Sequence, residues 1–141
     1  MENLDLAKNI VKTKILTQNA CESFDKSHNK KDSLPINIKI LYMIQDYGKV
    51  SPTLLIDKLY IAKSNLALMC KQLIADGLIE SQQDLVDRRI IYYSLTEKGA
   101  EYLGTKLIGI QKNIEKTMSQ EDLEQLNTHL QQINKILSKK F

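Results

Sequence analysis

The sequence predicts a mainly α-helical fold with one small β-hairpin, on three observations. Glycine and proline are scarce, five and two in 141 residues, which favours long helices joined by short connections. Apolar residues recur at three- and four-residue spacing along most of the chain, but Ile90-Ile91-Tyr92-Tyr93 is a β-branched and aromatic run of the kind strands prefer. Just before that run stand the only two arginines, Arg88-Arg89, in a polar stretch that reads as a hairpin tip; the other eighteen basic residues are lysine. The predicted order is four helices, a hairpin and two further helices, without repeats or low-complexity tracts.

Leu4, Ala7, Val11 and Ile15 share a helical face, predicting a first helix to about Phe24. Residues 25–33 are polar and read as a solvated loop. Pro35 starts the next helix, with Ile36, Ile40, Leu41, Ile44 and Tyr47 on one apolar face and Gly48 at its end. Ser51-Pro52 opens a short third helix: serine supplies the cap acceptor and proline a fixed first-turn φ. Its inward residues are Leu54, Leu55 and Leu59. A turn at Tyr60-Ile61-Ala62 leads into a fourth helix with Leu66, Met69, Cys70, Leu73 and Ile74 inward, closed by Asp76-Gly77. Two strands, Leu78–Gln82 and Ile90–Leu95, enclose the polar tip. Thr96 caps a long helix bearing Leu103, Leu107, Ile110 and Ile114, and Ser119-Gln120-Glu121-Asp122 starts the last one. There Leu123, Leu126, Leu130, Ile133 and Leu137 alternate three and four residues apart, a heptad-like seam that requires a partner helix.

Two helices joined by a tight turn, followed by a hairpin with arginine at its tip, outline a winged helix-turn-helix. In that arrangement the second helix enters the major groove and the first crosses the DNA backbone. The outer face of the fourth helix carries Ser64, Asn65, Leu68, Lys71 and Gln72. Serine and asparagine can hydrogen-bond base edges and Lys71 can reach a phosphate. Leu68 fits either a thymine methyl or the ordinary role of a solitary exposed leucine. Arginine's planar fork of donors follows a phosphate edge or a narrow minor groove as an ammonium cannot. The candidate DNA contacts are Ser64, Asn65, Leu68, Lys71, Gln72, Arg88 and Arg89, together with Ser51 and Lys63 at the two helix starts.

A net charge of +3 permits a polyanionic partner without demanding one. No apolar run approaches the ~20 residues of a membrane span. The acidic start, Met1-Glu2-Asn3-Leu4-Asp5, lacks the layout of a secretory signal, so a cytoplasmic protein with no membrane partner is expected. Cys21 and Cys70 form no paired motif and are read as free thiols. Cys21 has no neighbouring cation to lower its pKa, and Glu22 acts the other way. Cys70 falls on the inward stripe. His28 and His129 are too far apart for a clustered metal site, so no metal and no cofactor is expected. One of the adjacent Tyr92 and Tyr93 should pack and the other be exposed. No nucleophile–base pair, paired carboxylates or glycine-rich phosphate loop suggests an enzyme.

Asp84-Leu85-Val86-Asp87-Arg88-Arg89-Ile90 followed by Leu95-Thr96-Glu97-Lys98-Gly99 resembles the MarR family of bacterial regulators. That family's signature is an Asp-Arg-Arg wing, a strand, and Leu-Thr-x-x-Gly opening a dimerisation helix. Ile61-Ala62-Lys63-Ser64-Asn65-Leu66 and Leu73-Ile74-Ala75-Asp76-Gly77-Leu78-Ile79-Glu80 are similar to its recognition helix and following turn; the match runs from about Ile36 to Leu103. Leu68 departs from the family, where a polar or basic residue is common. The resemblance implies one domain: residues 1–34 and 100–141 as dimerisation helices, and 35–99 as a winged helix-turn-helix DNA-binding lobe. It implies a homodimer on a pseudo-palindromic operator in double-stranded DNA, with Arg88 or Arg89 in the minor groove and Asp87 positioning the guanidinium. It further implies a transcriptional repressor released by a small-molecule effector or stress signal. The competing expectation, favoured by the weak charge and by Leu68, is a winged-helix dimer serving as a protein-interaction adaptor.

Overall fold

The computed structural model describes residues 2–22 and 34–141. Their elements, in order, are α1 (Asp5–Glu22), α2 (Ile36–Tyr47), α3 (Pro52–Leu59), α4 (Lys63–Ala75), β1 (Ile79–Gln83), β2 (Ile91–Leu95), α5 (Glu97–Glu115) and α6 (Gln120–Leu137). The expected class is observed, with each strand starting one residue later than predicted. The predicted loop over 25–33, the helix end near Phe24 and His28 lie outside the described residues. The chain divides into two compact units, Pro35–Leu107 and the pair of terminal stretches.

In the unit Pro35–Leu107, helices α2, α3 and α4 surround a core that the hairpin closes. Ile40, Leu41, Ile44, Leu55, Leu66, Cys70, Leu73, Ile79 and Leu103 are buried. On α2 the buried arc is wider and shorter than the sequence stripe. Ile38 is buried, Ile36 is half-buried and Tyr47 is exposed. The reason is that α2 packs against both α3 and β2, so it is covered on two sides while the ends of its stripe run past the core.

The strands pair antiparallel with Ile79 opposite Leu95 and Gln83 opposite Ile91. Val50, just before α3, adds a bridge to this hairpin. Its N–H donates to the Tyr93 carbonyl at 3.0 Å, and its carbonyl accepts the Tyr93 N–H at 2.7 Å. Tyr93 is buried and Tyr92 is half-covered, not exposed as expected, because the Lys49 ammonium sits 4.8 Å from its ring centroid.

The start of α5 is fastened to the end of α4. Thr96 donates from its N–H to the Leu78 carbonyl (3.1 Å) and from its hydroxyl to the Gly77 carbonyl (2.6 Å). The same hydroxyl oxygen caps α5 by accepting the Gly99 N–H at 3.0 Å. A β-carbon on Gly99 would overlap the Leu78 carbonyl oxygen, so the motif's glycine is a requirement of close approach.

The terminal unit holds α1 and α6 with the end of α5. The α1 residues from Asp5 to Gln18 are exposed, Leu6, Ile10, Val11, Ile15 and Leu16 among them. Ser119 caps α6 by accepting the Asp122 N–H at 3.1 Å. No residue of α6 is buried; Leu123, Leu126 and Leu130 are half-covered, while Ile133 and Leu137 are exposed. Among the described residues no helix is long and apolar enough to cross a membrane.

Candidate nucleic-acid interface

The helix-turn-helix is set by two local choices. Ser51 Oγ accepts the Leu54 N–H at 3.2 Å and Pro52 fixes the first turn, so α3 begins where the sequence predicts. It ends at Tyr60, which takes a left-handed conformation (φ 54°) and still donates its N–H to the Ile56 carbonyl. Such a conformation costs a tyrosine about 1 kcal/mol or more relative to glycine. It reverses the chain sharply enough for Ile61 to enter the core and α4 to start at Lys63.

On α4, Leu66, Cys70 and Leu73 are buried, as expected; Met69 is half-buried. Ile74, expected inward, is exposed because it falls on the flank of the buried stripe. Lys63, Ser64, Asn65, Leu68, Lys71 and Gln72 are all exposed, so the structure brings the predicted contact residues of this helix onto its solvent side. Gln72 donates its amide to the Asp76 carboxylate at 3.0 Å and is thereby tied back to its own helix. Lys98 reaches across to the Asp76 carbonyl at 2.9 Å. The α4 segment holds two lysines and no acidic residue, and no side chain caps its N-terminus. Its positive dipole end is left for an anion.

Cys70 is packing, as expected. Tyr93 donates its hydroxyl hydrogen bond to the Cys70 sulfur beneath α4, and burial pushes both the thiol and the phenol above their usual pKa ranges. Among the described residues neither Cys21 nor Cys70 forms a disulfide. Among the described residues there is no His, Cys, Asp and Glu cluster able to hold a metal ion.

The wing tip is two nested turns. Asp84 donates its N–H to the Ile90 carbonyl at 2.9 Å, and its carboxylate accepts the N–H groups of Val86 (3.2 Å) and Asp87 (2.9 Å). Ile90 N–H then reaches the Asp87 carbonyl at 3.0 Å, which makes Arg88 and Arg89 the central residues of a β-turn. The Asp87 carboxylate accepts the Arg89 N–H (3.0 Å), its Nε (3.1 Å) and its Nη2 (3.1 Å). These bonds, the guanidinium's first, hold the Asp87 carboxyl below the usual carboxylate range and raise the Arg89 guanidinium. Among the described residues Arg88 makes no hydrogen bond or ion pair. Sequence reading took the tip as polar; here Leu85 and Val86 within it are 99% and 94% exposed. It missed the turn-forming role of Asp84, although an Asp two residues ahead of a polar tip is a usable signal.

The fold and this geometry can be set beside known proteins. Residues 37–91 match the MarR family model. No curated protein matches it in sequence. Among solved structures, the transcriptional regulator BldR from Sulfolobus solfataricus is 23% identical, with 99% of each chain covered and a TM-score of 0.69. A mutant MarR from E. coli is 18% identical, with 94% of this chain and 97% of that one covered and a TM-score of 0.66. The same mutant complexed with operator DNA gives 16% identity, 94% and 99% coverage and a TM-score of 0.59. The matched segment ends at the start of β2 and so includes α4 and the wing turn.

Proposed function

We propose that this protein is a sequence-specific DNA-binding transcriptional regulator that acts as a homodimer. The observation that carries the reading is the pairing, in one compact unit, of an acid-free helix face and an exposed arginine turn. Ser64, Asn65 and Leu68 face the bases. Lys63, Lys71 and the uncapped α4 N-terminus meet phosphates, with Ser51 at the neighbouring helix start and Gln72 at the far end of the face. On the wing, Arg89 is the arginine that Asp87 orients, and it enters the minor groove; Arg88 is left to find a phosphate. A MarR structure of the same fold complexed with operator DNA supports this over the adaptor reading.

The uncovered apolar faces of α1 and α6 are the dimer surface. Two lobes then meet half-sites about one helical turn, 34–36 Å, apart on a pseudo-palindrome. Release follows if a small-molecule or stress signal alters that spacing, since an effector acts through its different affinity for the two states. The regulator acts as a repressor and holds no cofactor or metal.

Binding to genomic duplex fragments tests the reading, with wild type and the Arg88→Ala/Arg89→Ala variant compared. Wild type should select a pseudo-palindrome, and its log affinity should fall with log salt by about 0.9 per phosphate neutralised. The variant should remain dimeric and bind more weakly with a shallower salt slope. Retention of no fragment by wild type, even at low salt, would leave the adaptor reading in its place.

A further inference from the structure

The outward face of α4 holds a leucine where a hydrogen-bonding reader of base edges is expected. At about 100° per residue, Leu68 stands almost opposite the buried stripe of Leu66, Cys70 and Leu73. It is 68% exposed at the centre of the face. One turn earlier lies Ser64 and nearly one turn later Lys71, with Ala67 beside it adding only a methyl group. Two lysines and no acidic residue make the helix complementary to a polyanion. In the major groove of such a polyanion, the apolar group available to leucine is the C5-methyl of thymine. The other base edges present donors and acceptors that a leucine would desolvate without a partner.

Resting on the DNA-binding reading above, we propose that Leu68 is a specificity-determining residue that reads a thymine methyl in each half-site. The discrimination has two parts: the methyl gains apolar burial, and a G·C pair at that position leaves its polar groups unpaired against the side chain. Ser64 on a base edge and Lys71 on a phosphate place the leucine from either side of it. The operator of this chain therefore carries an obligatory thymine under the middle of each α4.

Uracil separates the methyl from everything else, because it keeps thymine's hydrogen-bonding groups and lacks only that carbon. Duplexes selected by wild type from a random library would be remade with deoxyuridine for thymidine, one position at a time. The expected result is a single position per half-site at which Kd rises about fourfold, and about sixteenfold when both half-sites are changed. Leu68→Ala, an exposed substitution whose thermal midpoint should match wild type, should bind the thymidine and deoxyuridine duplexes alike. If every deoxyuridine duplex binds wild type within about twofold of the parent, methyl readout is overturned while DNA binding stands. If a deoxyuridine effect persists undiminished in Leu68→Ala, Leu68 is not the reader. If no duplex is selected at low salt, the DNA-binding reading itself fails.

Discussion

At Gly99 the first turn of α5 runs so close to Leu78 that a β-carbon would overlap its carbonyl oxygen. Gly99→Ala must push that turn away and disturb the Thr96 bonds to Leu78 and Gly77. The expected cost is about 1–3 kcal/mol, read as a lower denaturant midpoint at unchanged slope. An unaltered midpoint would show that α5 does not approach Leu78 this closely. The sequence shows the Leu-Thr-x-x-Gly motif but not the reason for its glycine, since the atom it avoids belongs to a distant residue. The arginines were legible in the same partial way. Their clustering on an exposed turn could be read directly, but not which one Asp87 holds. Both follow Asp87 closely, and only the folded turn brings the Arg89 Nε and Nη2 within reach. An exposed pair of this kind adds almost nothing to stability. Its effect is to aim one guanidinium and leave the other unengaged.

Helix α4 shows how far periodicity reaches at the scale of an element. A 3.6-residue repeat correctly separates Leu66, Cys70 and Leu73 from Ser64, Leu68 and Lys71. It fails at Ile74, whose flank position leaves exposure to be settled by what lies alongside. The Val50 bridge was invisible for another reason: one residue paired to β2 has no period to detect. Beneath α4, burial raises the Cys70 thiol and the Tyr93 phenol and gives the element a measurable pH response. Both groups titrate higher folded than unfolded, so their contribution is complete below the unfolded values, about 8.5 for thiol and about 10 for phenol. It is lost as pH rises through the raised folded values. Denaturation followed from about pH 7.5 to about pH 10.5 should therefore show a steady alkaline loss. In Tyr93→Phe that loss should be smaller, from a starting stability about 1 kcal/mol lower. An equal alkaline slope in both proteins would place its origin elsewhere.

For the whole molecule, scarce glycine and proline, helical periodicity and one β-branched run gave the class and the element order. What the sequence left open was which apolar faces the chain covers by itself. The heptad seam of α6 was legible, yet only the structure shows that none of its residues is buried. In the dimer proposed above this seam lies between subunits. Ile133→Asp should then give monomers in sedimentation at micromolar concentration, with operator affinity falling because two lobes no longer bind as one. A dimer that withstands this charge would move the interface off the α6 seam. The confinement of arginine to the wing has a use in the laboratory. A protease that cleaves only after arginine finds its two sites, residues 88 and 89, side by side on an exposed turn. One nick there parts the chain between its two strands. The intact chain thus carries its own reporter for whatever covers the wing, needing neither a label nor a substitution.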